Sequence, residues 1–109
     1  MTKNTKYGLL ESDINEVISI LKENQKINRI ILFGSRAKGS FSTGSDVDIA
    51  LFGSNITLND ILDASNEIDN LFLPNKFDLI IYDRIKEIAL QEHINRVGIV
   101  LFDRKKPSA

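Results

Sequence analysis

Three aspartates and a glycine–serine pair carry the chemistry this sequence offers. Asp46 and Asp48 stand one residue apart at the start of the apolar run "DVDIALF". Side chains alternate across a strand, so these two carboxylates share one face while Val47 and Ile49 share the other. Two carboxylates on one face repel each other unless cations stand between them. Such a pair suits Mg²⁺, which takes one or two carboxylates together with substrate phosphates and water. The plain alternative is an exposed strand end with two surface aspartates, which are common. Asp78 shifts the balance, because it interrupts "FDLIIY", the most apolar strand of the chain. An unpaired carboxylate in a buried strand is costly; its plain reading is a strand-end acid that reaches solvent or caps a helix. If the two strands are neighbours, Asp78 completes a triad. Three carboxylates can hold two divalent ions roughly 3.5–4 Å apart, the arrangement used for in-line displacement at phosphorus.

The stretch before Asp46 supplies the complementary half. The run "INRIILF" stops at Gly34 and Ser35. Gly34 lets the backbone turn and approach a ligand closely. The amides after it, with the Ser35 hydroxyl, can cradle phosphate oxygens if a helix starts there, and Arg36 and Lys38 bring positive charge to the same place. This is not a Walker A loop, since G-x-x-x-x-G-K-[ST] is absent. By itself, "GS" after a strand is only a turn.

The elements that must position these groups follow from periodicity. Ser12 or Asp13 can cap a first helix whose buried face is Ile14, Val17, Ile18 and Leu21. Ile27–Phe33 reads as a strand. "SRAKGS" suits a short helical turn stopped by Gly39, and Phe41–Ser45 a loop. Asp46–Phe52 is a second strand. Thr57 can cap a helix with Leu58, Ile61, Leu62, Ser65 and Ile68 along one stripe. Lys76–Tyr82 is a third strand. Asp83 can cap a last helix carrying Ile85, Ile88 and Ala89, which Gly98 ends. Ile99–Phe102 suits a short final strand, and residues 103–109 a solvated tail. Alternating helices and strands predict one layered α/β (α+β) domain over residues 1–109, with helices packed on a small sheet. The sheet is expected to be mixed, because the second strand returns after a loop too short for a crossover helix.

Composition sets the outer bounds. The chain has 109 residues, 42% hydrophobic and 27% charged, with a formal net charge of −1. That balance is globular, and it gives no basic footprint for a direct grip on nucleic acid. The absence of cysteine excludes disulfides and thiolate metal sites and fits a reducing, cytoplasmic setting. No apolar run approaches a membrane span, and the N-terminus lacks the apolar block of a signal peptide. His93 reads as a surface residue of the last helix, since nothing nearby in sequence orients it. Tyr7 and Tyr82 read as packing residues. Arg104, Lys105 and Lys106 read as solvated charges available to an acidic partner.

Taken together, "GSRAKGSFSTGSDVDIALF" resembles the signature of the DNA polymerase β-type nucleotidyltransferases: G-S, a spacer of ten residues, then D-x-D. The spacer, the small size and the trailing "FDLIIYD" are most similar to the minimal nucleotidyltransferases, or MNT proteins. The resemblance runs from the first strand to the last helix. It implies the nucleotidyltransferase fold, with Gly34 and Ser35 holding the phosphates of a nucleoside triphosphate. It further implies two Mg²⁺ on Asp46 and Asp48, with Asp78 binding one metal and accepting the proton of the attacking hydroxyl. Pyrophosphate would leave as a nucleoside monophosphate is transferred. MNT proteins are commonly paired with a HEPN protein, a helical RNase toxin, and the implied role is that of an antitoxin that adenylylates a toxin tyrosine with ATP. Lys38 stands where the family often has arginine, and lysine lacks the bidentate fork. Larger relatives add a helical domain for the acceptor; this length leaves no room for one, so an exposed site and a protein acceptor are expected. Two other readings stay open: a non-catalytic antitoxin acting by contact, and nucleotidyl transfer to a small molecule such as an aminoglycoside. Base preference, the number of nucleotides transferred, and homo- or hetero-oligomeric state are not marked by any motif.

Overall fold

The β-branched runs of the sequence pair into one four-stranded sheet. The computed structural model describes residues 4–105. Its elements are a hairpin of β1 (Thr5–Lys6) and β2 (Leu9–Leu10), α1 (Glu11–Lys22), β3 (Ile27–Phe33), α2 (Gly34–Lys38), β4 (Val47–Gly53), α3 (Leu58–Asp69), β5 (Phe77–Ile81), a 3-10 turn (Tyr82–Arg84), α4 (Ile88–Val97) and β6 (Ile99–Asp103). The strand order is β5-β4-β3-β6. β3 pairs antiparallel with β4 and with β6, while β4 and β5 are parallel, so the sheet is mixed as expected. The thirteen residues from β3 to β4 hold only the single turn α2 and return the chain antiparallel, and α3 supplies the crossover that a parallel pair needs.

The two faces of the sheet do different work. Val47, Ile49 and Leu51 point into the main core with Ile30 and Leu32, under Ile14, Val17 and Leu21 of α1 and Ile68 of α3. Fully burying each such side chain is worth about 1.5–3 kcal/mol. The opposite face carries Ile31, Phe33 and Ala50, covered by Ile94 of α4. Asp48 and Asp78 belong to this second face, because each alternates with main-core residues on its strand. Among the described residues no helix is long and apolar enough to cross a membrane.

Several boundaries differ from expectation for identifiable reasons. Neither Ser12 nor Asp13 caps α1: the helix begins at Glu11, whose amide donates to the Asn4 carbonyl at 3.0 Å. The β1–β2 hairpin, formed around Tyr7 and Gly8 at φ 57° and 75°, therefore caps α1 with backbone alone. Positive φ at both central residues is the signature of a two-residue hairpin turn. Thr57 caps α3 as expected, in a reciprocal box with Asp60, although Leu58 and Leu62 of the proposed stripe lie exposed. Asp83 does not cap α4; it falls in the 3-10 turn, and Glu87 stands at the helix start. β5 is an edge strand, partly exposed throughout, rather than a buried one. The tail begins later than residue 103: Asp103 pairs with Arg29, and the Arg104 guanidinium donates to the carbonyls of Lys22, Asn24 and Ile27. Arg104 is thus a staple between the last strand and the α1–β3 turn. Met1–Lys3 of the N-terminal stretch and Lys106–Ala109 of the tail lie outside the described residues.

Candidate active site

Antiparallel return followed by parallel crossover brings the end of β3 and the starts of β4 and β5 to one edge of the sheet. Asp48 stands opposite Phe33 on one side and opposite Asp78 on the other. The two strand aspartates are therefore in direct register, and Asp46 precedes Asp48 by two residues on the exposed approach to β4. The structure thus sets two of the three acids side by side, with the third two residues upstream on the same chain segment.

Gly34 is fitted to this place in two ways. Its φ of 76° lies in the left-handed region, which glycine enters without steric cost. A Cβ built on it would also run into the Asp48 carboxylate. The chain then turns into the single helical turn α2, whose Lys38 end is closed by Gly39 at φ 85°. Ser35 is half-buried in the first turn of α2 and Lys38 is exposed at its end.

Arg36 departs from its expected role. It is 2% exposed, and its guanidinium is spent on backbone: Nη1 to the Tyr7 carbonyl at 2.8 Å, Nη2 to the Ser45 carbonyl at 2.8 Å and the Thr43 carbonyl at 3.4 Å, and Nε to Ser45 at 3.2 Å. It also lies over the Phe41 ring, 5.0 Å from the centroid. Arg36 is a clamp that ties the N-terminal hairpin to the glycine- and serine-rich loop and fixes the residue just before Asp46. Its charge signalled a phosphate ligand in sequence, but the carbonyls it serves leave its donors facing inward. The loop is held further by Ser42 and Ser45, which close a turn through the Ser45 amide and hydroxyl.

Electrostatics at the site register the crowding of acids. The Asp48 carboxyl is held above its ordinary value, first by burial, then by the charges of Asp78 and Asp46, with a small opposing pull from the neighbouring His93. Asp78 was expected inside a buried strand; on the edge strand its side chain is 40% exposed, and Lys76 Nζ lies 3.6 Å from Oδ1. Its cost of burial is accordingly smaller than the apolar flanks suggested. Among the described residues no three acid or histidine side chains converge at metal-ligand spacing. The side chains nevertheless suit a hard divalent cation: they offer carboxylate oxygens, and burial together with repulsion from Asp78 and Asp46 already raises the Asp48 carboxyl, a cost that a bound cation would remove.

Sequence reading missed two neighbours. His93 Nε2 accepts the Gly34 amide at 3.1 Å, and its ring meets Phe33 edge-on at 6.1 Å between centroids. His93 is therefore not a free surface residue. The available signal was its place three residues after Leu90 and four before Val97, on the inward stripe of α4. Lys76 had a signal too: it stands two residues before Asp78, and strand alternation puts both on one face.

Residues 15–107 match the family described as "Polymerase beta, Nucleotidyltransferase". No curated protein matches the chain. Among solved structures, one similar chain comes from a toxin–antitoxin complex with AMP-PNP, with a TM-score of 0.69 and 23% identity over 83% of this chain and 73% of that one. Another belongs to a tri-AMPylated Shewanella oneidensis HEPN toxin in complex with its MNT antitoxin, with a TM-score of 0.66 and 20% identity over 87% and 73%. A third belongs to a MntA–HepT toxin–antitoxin structure, with a TM-score of 0.65 and 20% identity over 87% and 74%. At these identities the likeness is one of fold.

Proposed function

The chain belongs to the polymerase beta nucleotidyltransferase family, and from that premise we propose that it is an Mg²⁺-dependent antitoxin that transfers AMP from ATP to a tyrosine of a HEPN-type toxin. The observation that carries the reading is the register of Asp48 with Asp78 beside Gly34. Acids, a close-approach glycine and a serine meet at one sheet edge, open to a large acceptor. The fold neighbours support this choice of acceptor: one is a toxin–antitoxin complex with AMP-PNP and another holds a tri-AMPylated HEPN toxin.

In this reading Gly34 shapes the turn that lets Ser35 hold the triphosphate, with Lys38 as an exposed cation beside it, while Arg36 keeps the loop in shape. Asp46, Asp48 and Asp78 are the residues that would hold two Mg²⁺, which supply charge neutralisation at the phosphates. Asp78, on the exposed edge strand, is placed to accept the tyrosine proton as the phenolate oxygen bonds to the α-phosphorus. The α-phosphorus–oxygen bond to pyrophosphate breaks, and pyrophosphate carries away the electron pair. A cytoplasmic setting fits ATP as donor.

The test is mass spectrometry of a HEPN toxin partner incubated with the chain, ATP and Mg²⁺. Wild type should add adenylyl groups. Asp78→Asn should lower transfer by at least the ~10²–10⁴-fold typical of a lost general base, while the complex still forms. A toxin that stays unmodified yet is fully neutralised by both proteins would refute the enzymatic reading and leave an antitoxin that acts by contact.

A further inference from the structure

We propose that His93 is a positioning residue for the phosphate-holding turn, and that it links α4 to the nucleotide site. The proposal rests on the nucleotidyl-transfer reading above. Its basis is a vacancy in the backbone accounting. Gly34 is the first residue of α2, and the first amides of a helix have no partner within it. The preceding residue, Phe33, offers no side-chain cap. The Gly34 amide instead donates to His93 Nε2 of α4, which covers the same sheet face as Phe33, 59 residues away in sequence. Phe33 fixes the ring edge-on, and Ile94 beside it is 1% exposed, which anchors that turn of α4.

The consequence is a division of labour within the turn. With its amide held by His93 and its α-carbon against Asp48, Gly34 is fixed from both sides. Its amide is taken, so the donors left for a phosphate are the Ser35 hydroxyl and the amides that follow Gly34 in α2. An acceptor at Nε2 requires a neutral ring with its proton on Nδ1. An imidazolium would set N–H against N–H. His93 also places the stability of the turn under the control of α4, an element that lies outside the glycine–serine and aspartate motifs.

Two substitutions separate this role from packing. His93→Phe keeps a ring against Phe33 but removes the acceptor; His93→Gln returns an acceptor oxygen. Two readouts are taken: exchange of the Gly34 amide by NMR on the nucleotide-free protein, and KM and kcat for ATP in the transfer assay. His93→Phe should speed Gly34 exchange and raise KM for ATP about tenfold, the equivalent of one hydrogen bond, with melting temperature little changed. His93→Gln should recover most of both. Unchanged exchange and KM in His93→Phe, or a His93→Gln protein no better than His93→Phe, would overturn the proposal. A wild type that transfers no AMP would instead refute the activity, and the exchange arm would still decide whether His93 holds Gly34.

Discussion

Arg36→Ala tests whether the buried guanidinium is a clamp or a ligand. Removing it takes away two short donations, to Tyr7 and Ser45 at 2.8 Å, and two longer ones at 3.2 and 3.4 Å. A hydrogen bond to a charged group contributes about 1.5–3 kcal/mol. Counting the two short ones at the lower end, and letting water replace the longer pair, gives about 3 kcal/mol. The stacking on Phe41 adds about 0.5–1 kcal/mol. The sum, near 4 kcal/mol, is a large part of the roughly 5–15 kcal/mol that holds a domain folded. At about 4–8 °C per kcal/mol for domains near this size, the melting temperature should fall by roughly 20 °C. Arg36→Lys should lose most of the same stability despite keeping the charge, because one ammonium cannot reproduce the fork across Tyr7, Thr43 and Ser45. Thermal melts by circular dichroism without nucleotide, together with ATP calorimetry at low temperature, read the two roles apart. Melting temperatures unchanged from wild type, with ATP affinity lost in Arg36→Ala and kept in Arg36→Lys, would refute the clamp and restore Arg36 as a phosphate ligand.

Two further perturbations follow from the charges. Because the Asp48 carboxyl is raised above 3.8 in the fold, it contributes stability that is present below that value and lost as pH rises through the raised one. Asp48→Asn should therefore flatten that limb and melt higher than wild type at neutral pH in EDTA, yet gain nothing on adding Mg²⁺; melts across pH with and without Mg²⁺ check both. Asp60 behaves oppositely: Lys26 and the Thr57 cap hold it down to about 2, so its contribution is present above 3.8 and lost as pH falls through about 2. Breaking that capping box with Thr57→Ala should cost about 1 kcal/mol, measured by urea unfolding, with no change in ATP affinity.

What the sequence made legible is what is local or fixed by alternation. β3 matches its run of β-branched residues end to end, Thr57 caps α3, Gly39 closes α2, and Val47 and Ile49 take the face opposite Asp48. What escaped is what a side chain meets far along the chain. Arg36 and Arg104 read as phosphate ligand and solvated tail, because sequence shows a charge but not the carbonyls waiting for it. Loops leave backbone carbonyls without ladder partners, and an arginine with several donors in one plane can satisfy several at once. The Asn4 carbonyl that caps α1 and the Gly34 amide that selects His93 belong to the same class. Each is a leftover backbone group whose partner depends on tertiary approach.

The aspartates were legible for a different reason: their spacing is a statement of topology. Ten residues between Ser35 and Asp46 cannot hold a crossover helix, so β4 must return antiparallel, and its start must lie beside the end of β3. The stretch from Gly53 to Phe77 holds α3, so β5 can run parallel to β4, and its start must lie beside that of β4. Two connections of different length thus bring Gly34, Asp48 and Asp78 to one edge without any direct sequence signal between them. The proposed transfer to a protein also needs Asp78 on the edge strand. A central position would bury it between two neighbours, where a charge is costly and a partner's side chain cannot reach. At the edge it keeps 40% of its side chain in solvent with Lys76 beside it, a cost the fold can bear.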